Sequence, residues 1–113
     1  MDCLFCKIAN KDIPAKICFE NEQLVAFHDV NPQAPTHVLI IPREHIATMN
    51  DLDETNSAIT SQMLLAAKQI AADLGHAEDG YRVVINCNAS AGQTVFHIHL
   101  HLLGGRPMTW PPG

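Results

Sequence analysis

His97, His99 and His101 alternate with Ile98, Leu100 and Leu102 in a run that ends at Leu103. A period of two is the pattern of a half-buried strand, with three imidazoles on one face and three aliphatic side chains on the other. At a rise of about 3.3 Å per residue, neighbouring imidazoles stand about 6–7 Å apart at the backbone. Rings at that spacing can converge on one small group, such as a phosphate or a metal ion. Histidine changes charge near neutral pH, so the row points to proton transfer, nucleophilic attack or metal binding. A polar solvent face would account for one histidine, but not for three in register among the seven in the chain. An imidazole nitrogen can attack phosphorus and hold the phosphoryl group covalently, which splits one difficult displacement into two easier ones. The attacking nitrogen must be bare and its ring partner held by an acceptor, with donors nearby to meet the charge on the phosphoryl oxygens. Gly92 and the hydroxyl of Thr94 lie just upstream. No serine nucleophile motif, Walker loop or catalytic carboxylate pair competes with this chemistry.

Cys3-Leu-Phe-Cys6 is the second chemical feature. Two thiols at this spacing suit a metal knuckle, a redox pair, or neither. The redox reading is the weaker, because no thioredoxin-like βαβ pattern surrounds them, and a zinc site needs two further ligands. Cys18, inside an apolar stretch, reads as a buried core thiol.

The composition bounds the rest. A chain of 113 residues is expected to form one domain, residues 1–113, with a single core. Hydrophobic residues make up 47% and charged residues 17%, a globular balance. Net charge is −5, from 7 Lys+Arg against 12 Asp+Glu, so there is no basic footprint for a nucleic acid polymer. A local site could still hold a nucleotide. No apolar run approaches the roughly 18 residues of a membrane span, and Met1-Asp2-Cys3 lacks the basic start of a secretory leader. Four cysteines without sign of secretion predict a reduced, cytoplasmic protein.

The elements that must position these groups follow from pattern. Leu4, Phe5, Ile8 and Ala9 predict a short N-terminal helix ending before Pro14. Ile17–Glu20 and Gln23–His28 predict a hairpin across Asn21-Glu22. Pro32 and Pro35 make the following loop rigid, and such a loop is a common seat for binding residues. Thr36–Pro42 is apolar on both faces after His37, hence a central strand. His45 alone would be an ordinary surface histidine. Asp51 and Glu54 stand at capping-box spacing before Ile59, Met63, Ala66, Ile70 and Leu74, which predicts a helix of about 22 residues ending at Gly75. Tyr81–Cys87 predicts a strand, Asn88–Gly92 a turn-rich loop, and Trp110 an aromatic in a proline-rich tail that packs on something, such as a second subunit. The class is α+β, with five strands, one long helix and a short N-terminal helix.

The triad, preceded by Gly92-Gln93-Thr94-Val95-Phe96 and followed by Leu103-Gly104-Gly105-Arg106-Pro107, resembles the histidine triad (HIT) superfamily, its Hint branch in particular, from about Phe5 to Gly113. The resemblance implies a five-stranded antiparallel sheet that joins its mate in a homodimer with a continuous sheet of ten strands. It implies His99 as the nucleophile toward the α-phosphate of a nucleotide, His101 as a phosphate-contacting histidine and His37 as the supporting proton relay. Gly92, Gln93 and Thr94 match the phosphate-binding loop, Thr94 standing where many relatives carry serine. Asp29 and Val30 match ribose and base contacts, Asn86 a further nucleotide contact, and Trp110 a tryptophan that reaches the partner's site. Taken singly, Asn86 could cap a turn, Asp29 could brace its loop and Thr94 could be an ordinary strand residue. Relatives with an N-terminal C-x-x-C bind zinc with two histidines, which here are His45 and His97 beside Cys3 and Cys6. A Cys2His2 set of that kind is closed and structural.

The activity implied is that of a purine nucleoside phosphoramidase, cleaving the P–N bond of adenosine 5′-phosphoramidates through a nucleotidyl-His99 intermediate. Dinucleoside polyphosphate hydrolysis is the enzymatic alternative. A zinc-stabilised module that holds nucleotides or proteins without turnover is the non-enzymatic one.

Overall fold

Residues 2–113 are described by a computed structural model. Its centre is the strand Thr36–Pro42 (β3), which from His37 onward is buried at every residue. Five antiparallel strands run in the order β1-β2-β3-β5-β4, with β1 Ile17–Glu20, β2 Leu24–His28, β4 Tyr81–Val84 and β5 Leu100–Gly104. The expected class, sheet and helix count are the ones observed.

Alternation along the strands divides the interior in two. Leu24, Ala26, Val38, Ile40, Leu100 and Leu102 point to one side and meet Met63, Ala66, Ala67, Ile70 and Ala71 of the long helix α2, Ala58–Asp73. Val25, Phe27, Leu39 and Ile41 point to the other side and meet Phe5, Ile8 and Ala9 of the short helix α1, Leu4–Ala9. Leu100 and Leu102 are fully buried, and each such side chain contributes about 1.5–3 kcal/mol. The face under α2 is therefore scaffold. The face under α1 receives His101 and, just before the strand, His99 and His97. Arg43 ties α1 to the hairpin by donating to the carbonyls of Ala9 and Asn21 and to the Glu20 carboxylate.

Six expectations need correction. The long helix starts at Ala58 and has 16 residues. Upstream polar side chains bind locally instead. Thr48 and Asp51 close a capping box around a 3₁₀ turn at Met49–Asp51, and Asp53 Oδ1 accepts the N–H groups of Thr55 and Asn56. With its carboxylate turned back to Thr48, Asp51 forms no box with Glu54. Leu74, expected on the core face, is the exposed C-cap, while Gly75 takes the left-handed C′ position with φ 87°.

The histidine strand begins at Leu100, not His97. Its last pairing with β3 is Ile40↔Leu100; beyond it the Ile98 N–H donates to the Ile46 carbonyl and leaves the ladder. Pairing also stops β4 at Val84, opposite His101, rather than at Cys87. Cys18 is exposed, not core. The register with β2 slips between Ile17 and Phe19, so Cys18 is the extra residue of a β-bulge on an edge strand. The bulge sends Ile17 to the α1 face and Phe19 to the α2 face.

Candidate active site and metal centre

His99 is buried, and its Nδ1–H donates to the main-chain carbonyl of His97 at 2.8 Å. That bond settles the tautomer, because a neutral ring that donates from Nδ1 leaves Nε2 as a bare lone pair. The ring lines a cavity of about 520 Å³ together with His101, Thr94, Asp29 and Val30, while Phe5, Ile8, Ile13, Phe27 and Leu39 supply apolar wall. Such a cavity has the size and mixed lining of a small-molecule site. Phe5 stands edge-on to His99, centroids 5.0 Å apart and planes at 89°, and also meets Phe27 at 5.5 Å.

A second chain of contacts leads to the same cavity. The Gln33 N–H donates to His37 Nδ1 at 3.0 Å, and His37 Nε2 lies 2.9 Å from His101 Nδ1. A ring that accepts at Nδ1 carries its proton on Nε2, so His37 donates to His101, and neutral His101 keeps its own proton on Nε2. His99 and His101 are 4.9 Å apart between centroids. Burial holds all three rings below the ordinary histidine range, opposed at His37 by Asp29, whose Oδ2 lies 3.5 Å from Nε2. His101 falls furthest, to about 4, from burial first and then from positive charge on His99 and His37. At neutral pH these three rings are uncharged, and His99 keeps Nε2 bare.

The Asn88–Gly92 loop is braced by Gln93. Its Oε1 accepts the Asn88 N–H and its Nε2 donates to the carbonyls of Ala47 and Val95, while its own N–H returns to the Asn88 carbonyl. The side chain is buried and fully used by protein, so Gln93 shapes the loop rather than facing the cavity. Asn88 and Gly92 both have left-handed φ, 69° and 98°. A Cβ at Gly92 would meet only Asn86, at 3.9 Å, so conformation and not crowding requires glycine there. Thr94 and Val30 are exposed at the cavity rim. Gly92, Asn86 and Gln93 do not line the cavity, and Trp110, 82% exposed, stands apart from it.

Cys3, Cys6, His45 and His97 bring four ligand atoms within 4.8 Å of one another. His97 Nε2–H donates to the Pro42 carbonyl at 2.7 Å, which leaves Nδ1 bare and aimed at the thiols. Its distances to Cys3 and Cys6 Sγ are 3.4 and 3.5 Å, and His45 Nδ1 lies 3.4 Å from Cys6 Sγ. With Zn–S of about 2.3 Å and Zn–N of about 2.05 Å, neighbouring donors in a tetrahedral site stand about 3.6 Å apart. The residues fit a zinc ion. Burial and the neighbouring Cys3 push the Cys6 thiol up, so two thiolates here need a cation between them. Asp29, His37 and His101 form another compact set of ligand types. There, however, the Gln33 N–H occupies His37 Nδ1 and forces a proton onto Nε2, at the point where a metal would need a lone pair.

Two contributors escape the sequence. Gln33 acts through its main-chain N–H, which no side-chain type announces. Phe5 shows helical spacing, but nothing local says that it packs on His99 and closes the cavity.

The HIT domain model matches residues 10–108. A purine nucleoside phosphoramidase of Escherichia coli is 47% identical over 105 residues, covering 93% of this chain and 88% of the relative. A 14 kDa zinc-binding protein of Zea mays is 49% identical over 112 residues, covering 97% and 87%. The crystal structure of a HIT family hydrolase from Legionella pneumophila superposes with a TM-score of 0.97 at 56% identity, covering 99% and 100%.

Proposed function

The chain belongs to the HIT domain family, and from that premise we propose that it is a purine nucleoside phosphoramidase, working as one domain on adenosine 5′-phosphoramidates. The observation that carries this reading is the His99 Nδ1–H bond to the His97 carbonyl, which presents a bare Nε2 on a ring lining the cavity. Likeness to the Escherichia coli phosphoramidase supports the substrate class.

In the first step His99 Nε2 attacks the α-phosphorus, the N–P bond to His99 forms and the bond to the amine breaks. The amine leaves well only when protonated. An anionic phosphoryl group brings to His101 the countercharge it otherwise lacks and raises its affinity for a proton. Protonated His101, an acid because the free site holds it at about 4, carries its second proton on Nδ1 while the His37 Nε2–H turns to Asp29 Oδ2, 3.5 Å away, and passes its Nε2 proton to the departing nitrogen. In the second step water attacks phosphorus, His101 takes the water proton, and the monophosphate leaves with His99 restored. Thr94 at the rim, with Gly92 and Asn86 of the adjoining loop, is assigned to the phosphate, Gln93 to bracing that loop, and Asp29 and Val30 to the ribose and base. The apolar wall that includes Phe5, Ile8 and Phe27 suits a purine ring.

Cys3, Cys6, His45 and His97 would hold one zinc ion. Bound there, zinc supplies a closed structural cross-link, and likeness to the maize zinc-binding protein supports it. A homodimer is proposed through β4, the edge strand of the sheet, where Tyr81 and Val83 are exposed. The exposed Trp110 would reach the second copy. Four free cysteines agree with a reduced, cytoplasmic setting.

The test is hydrolysis of an adenosine 5′-phosphoramidate by the wild type and by His99→Asn. Turnover by the wild type and its loss in a variant that still binds nucleotide supports the proposal. Binding without turnover in the wild type refutes it in favour of a non-catalytic module, and a preference for dinucleoside polyphosphates refutes the substrate class.

A further inference from the structure

Of the two compact sets of metal-type ligands, only one has its lone pairs free, and the difference lies in a main-chain group. We propose that the backbone N–H of Gln33 is a positioning group that holds His37 in the Nε2–H tautomer, so that His37 donates to His101 Nδ1 and keeps the His101 proton on Nε2, and the Asp29, His37 and His101 set does not hold a divalent cation. The catalytic consequence rests on the hydrolase reading above; the tautomer and the metal preference do not.

Two histidines and a carboxylate with ligand atoms within 4.8 Å are a donor set that takes divalent transition ions. A neutral imidazole has one N–H, and two donors cannot face each other. With the Gln33 N–H 3.0 Å from Nδ1, the His37 proton must sit on Nε2. It then points at His101 Nδ1, 2.9 Å away, with Asp29 Oδ2 at 3.5 Å. The lone pair a metal would use is gone, and His101 is left with its proton on Nε2. The opposite tautomer would reverse both rings, leaving His101 with no Nε2 proton and His37 with a bare nitrogen at the centre of the cluster. His97 shows the converse arrangement. Its second nitrogen donates to a carbonyl, and its other lone pair is left for the thiol cluster. One ring meets a main-chain acceptor and serves a metal; the other meets a main-chain donor and serves a proton.

The loop carrying this N–H is held from several sides. The Asn31 N–H donates to Asp29 Oδ1 and Gln33 Nε2 donates to the Asn31 carbonyl. Arg106 Nε, from the turn after β5, donates to the Gln33 carbonyl at 3.0 Å. Gly105, with φ 95°, packs so closely that a Cβ there would lie 2.9 Å from Pro35 Cβ.

The experiment reads histidine tautomers by ¹⁵N NMR, since protonated and bare ring nitrogens resonate far apart. The wild type should show His37 protonated on Nε2 at neutral pH; His37 protonated on Nδ1 overturns the proposal without any variant. Gln33→Pro deletes the N–H, and Gln33→Ala, which keeps it, is the reference. Gln33→Pro should lose the single tautomer, turn over at least about 10-fold more slowly than Gln33→Ala with KM changed less than about threefold, and bind one additional Co²⁺ per chain when the protein is already loaded with zinc. A folded Gln33→Pro that matches Gln33→Ala in tautomer and in Co²⁺ binding overturns it. If Gln33→Pro does not fold, the wild-type spectrum decides. The stated tautomer in a protein that cleaves no P–N bond sinks the phosphoramidase reading and leaves this one standing.

Discussion

Acid should destabilise this protein through His101, and the effect can be isolated with His101→Gln. The pKa of His101 is lowered from 6.5 to about 4, by burial first and then by its two histidine neighbours. The unfolded chain takes up the proton first, so the stabilisation is present above pH 6.5 and is lost as pH falls from there through about 4. At 1.36 kcal/mol per pH unit the whole window is about 3 kcal/mol, of which about 2 kcal/mol is gone by pH 5. Glutamine keeps a polar group of similar length and does not titrate. The assay is urea unfolding of both proteins at pH 7 and pH 5. The wild type should lose about 2 kcal/mol more than the variant between the two pH values, about 1 M in urea midpoint. Cysteine and histidine ligands of a metal also protonate over this range, but they do so in both proteins and cancel in the comparison. If wild type and variant lose the same stability, His101 is not held neutral by the fold, and the account of the triad as uncharged at pH 7 is refuted.

Metal analysis of protein purified without chelator should find about one zinc per chain, and Cys3→Ser with Cys6→Ser should lower the melting temperature; metal-free protein of unchanged stability would rule the centre out. Phe5→Ala should cost about 3–5 kcal/mol by urea unfolding, because Phe5 is buried against Phe27 and His99; a loss below about 1 kcal/mol would show that α1 is not packed as described. Light scattering at micromolar concentration should give twice the chain mass, and Trp110→Ala should alter substrate preference while leaving the melting temperature within a degree or two. A monomer would refute the dimer.

Local chemistry made much of this protein legible in advance. Unbroken runs of apolar, β-branched and aromatic residues marked β2 and β3, and the two-sided burial of β3 followed from Val38–Ile41 being apolar at every position. Residue type and spacing picked out the histidine row and the Cys3–Cys6 pair, the family resemblance added His37, and all of them lie in the cavity or the two ligand clusters beside it. These are signals a few residues long, and they survive because a side chain's polarity belongs to it whatever surrounds it. Element boundaries were not legible. The histidine row joins the ladder only at Leu100 because the Ile98 N–H goes to the Ile46 carbonyl rather than to β3, and the long helix starts late because Thr48, Asp51 and Asp53 find nearer bonds. Cys18 turned outward because a bulge is a property of two strands in register, not of one. The roles within the histidine set were likewise decided in three dimensions. His97, His99 and His37 are the same side chain, and what separates the proposed metal ligand, nucleophile and proton donor is which ring nitrogen the main chain meets, and whether it meets it with a carbonyl or an N–H. Those partners are the main chain of Pro42, His97 and Gln33, the first of them far along the chain from its histidine, and every residue but proline offers the same pair of groups. Only the folded backbone could assign them.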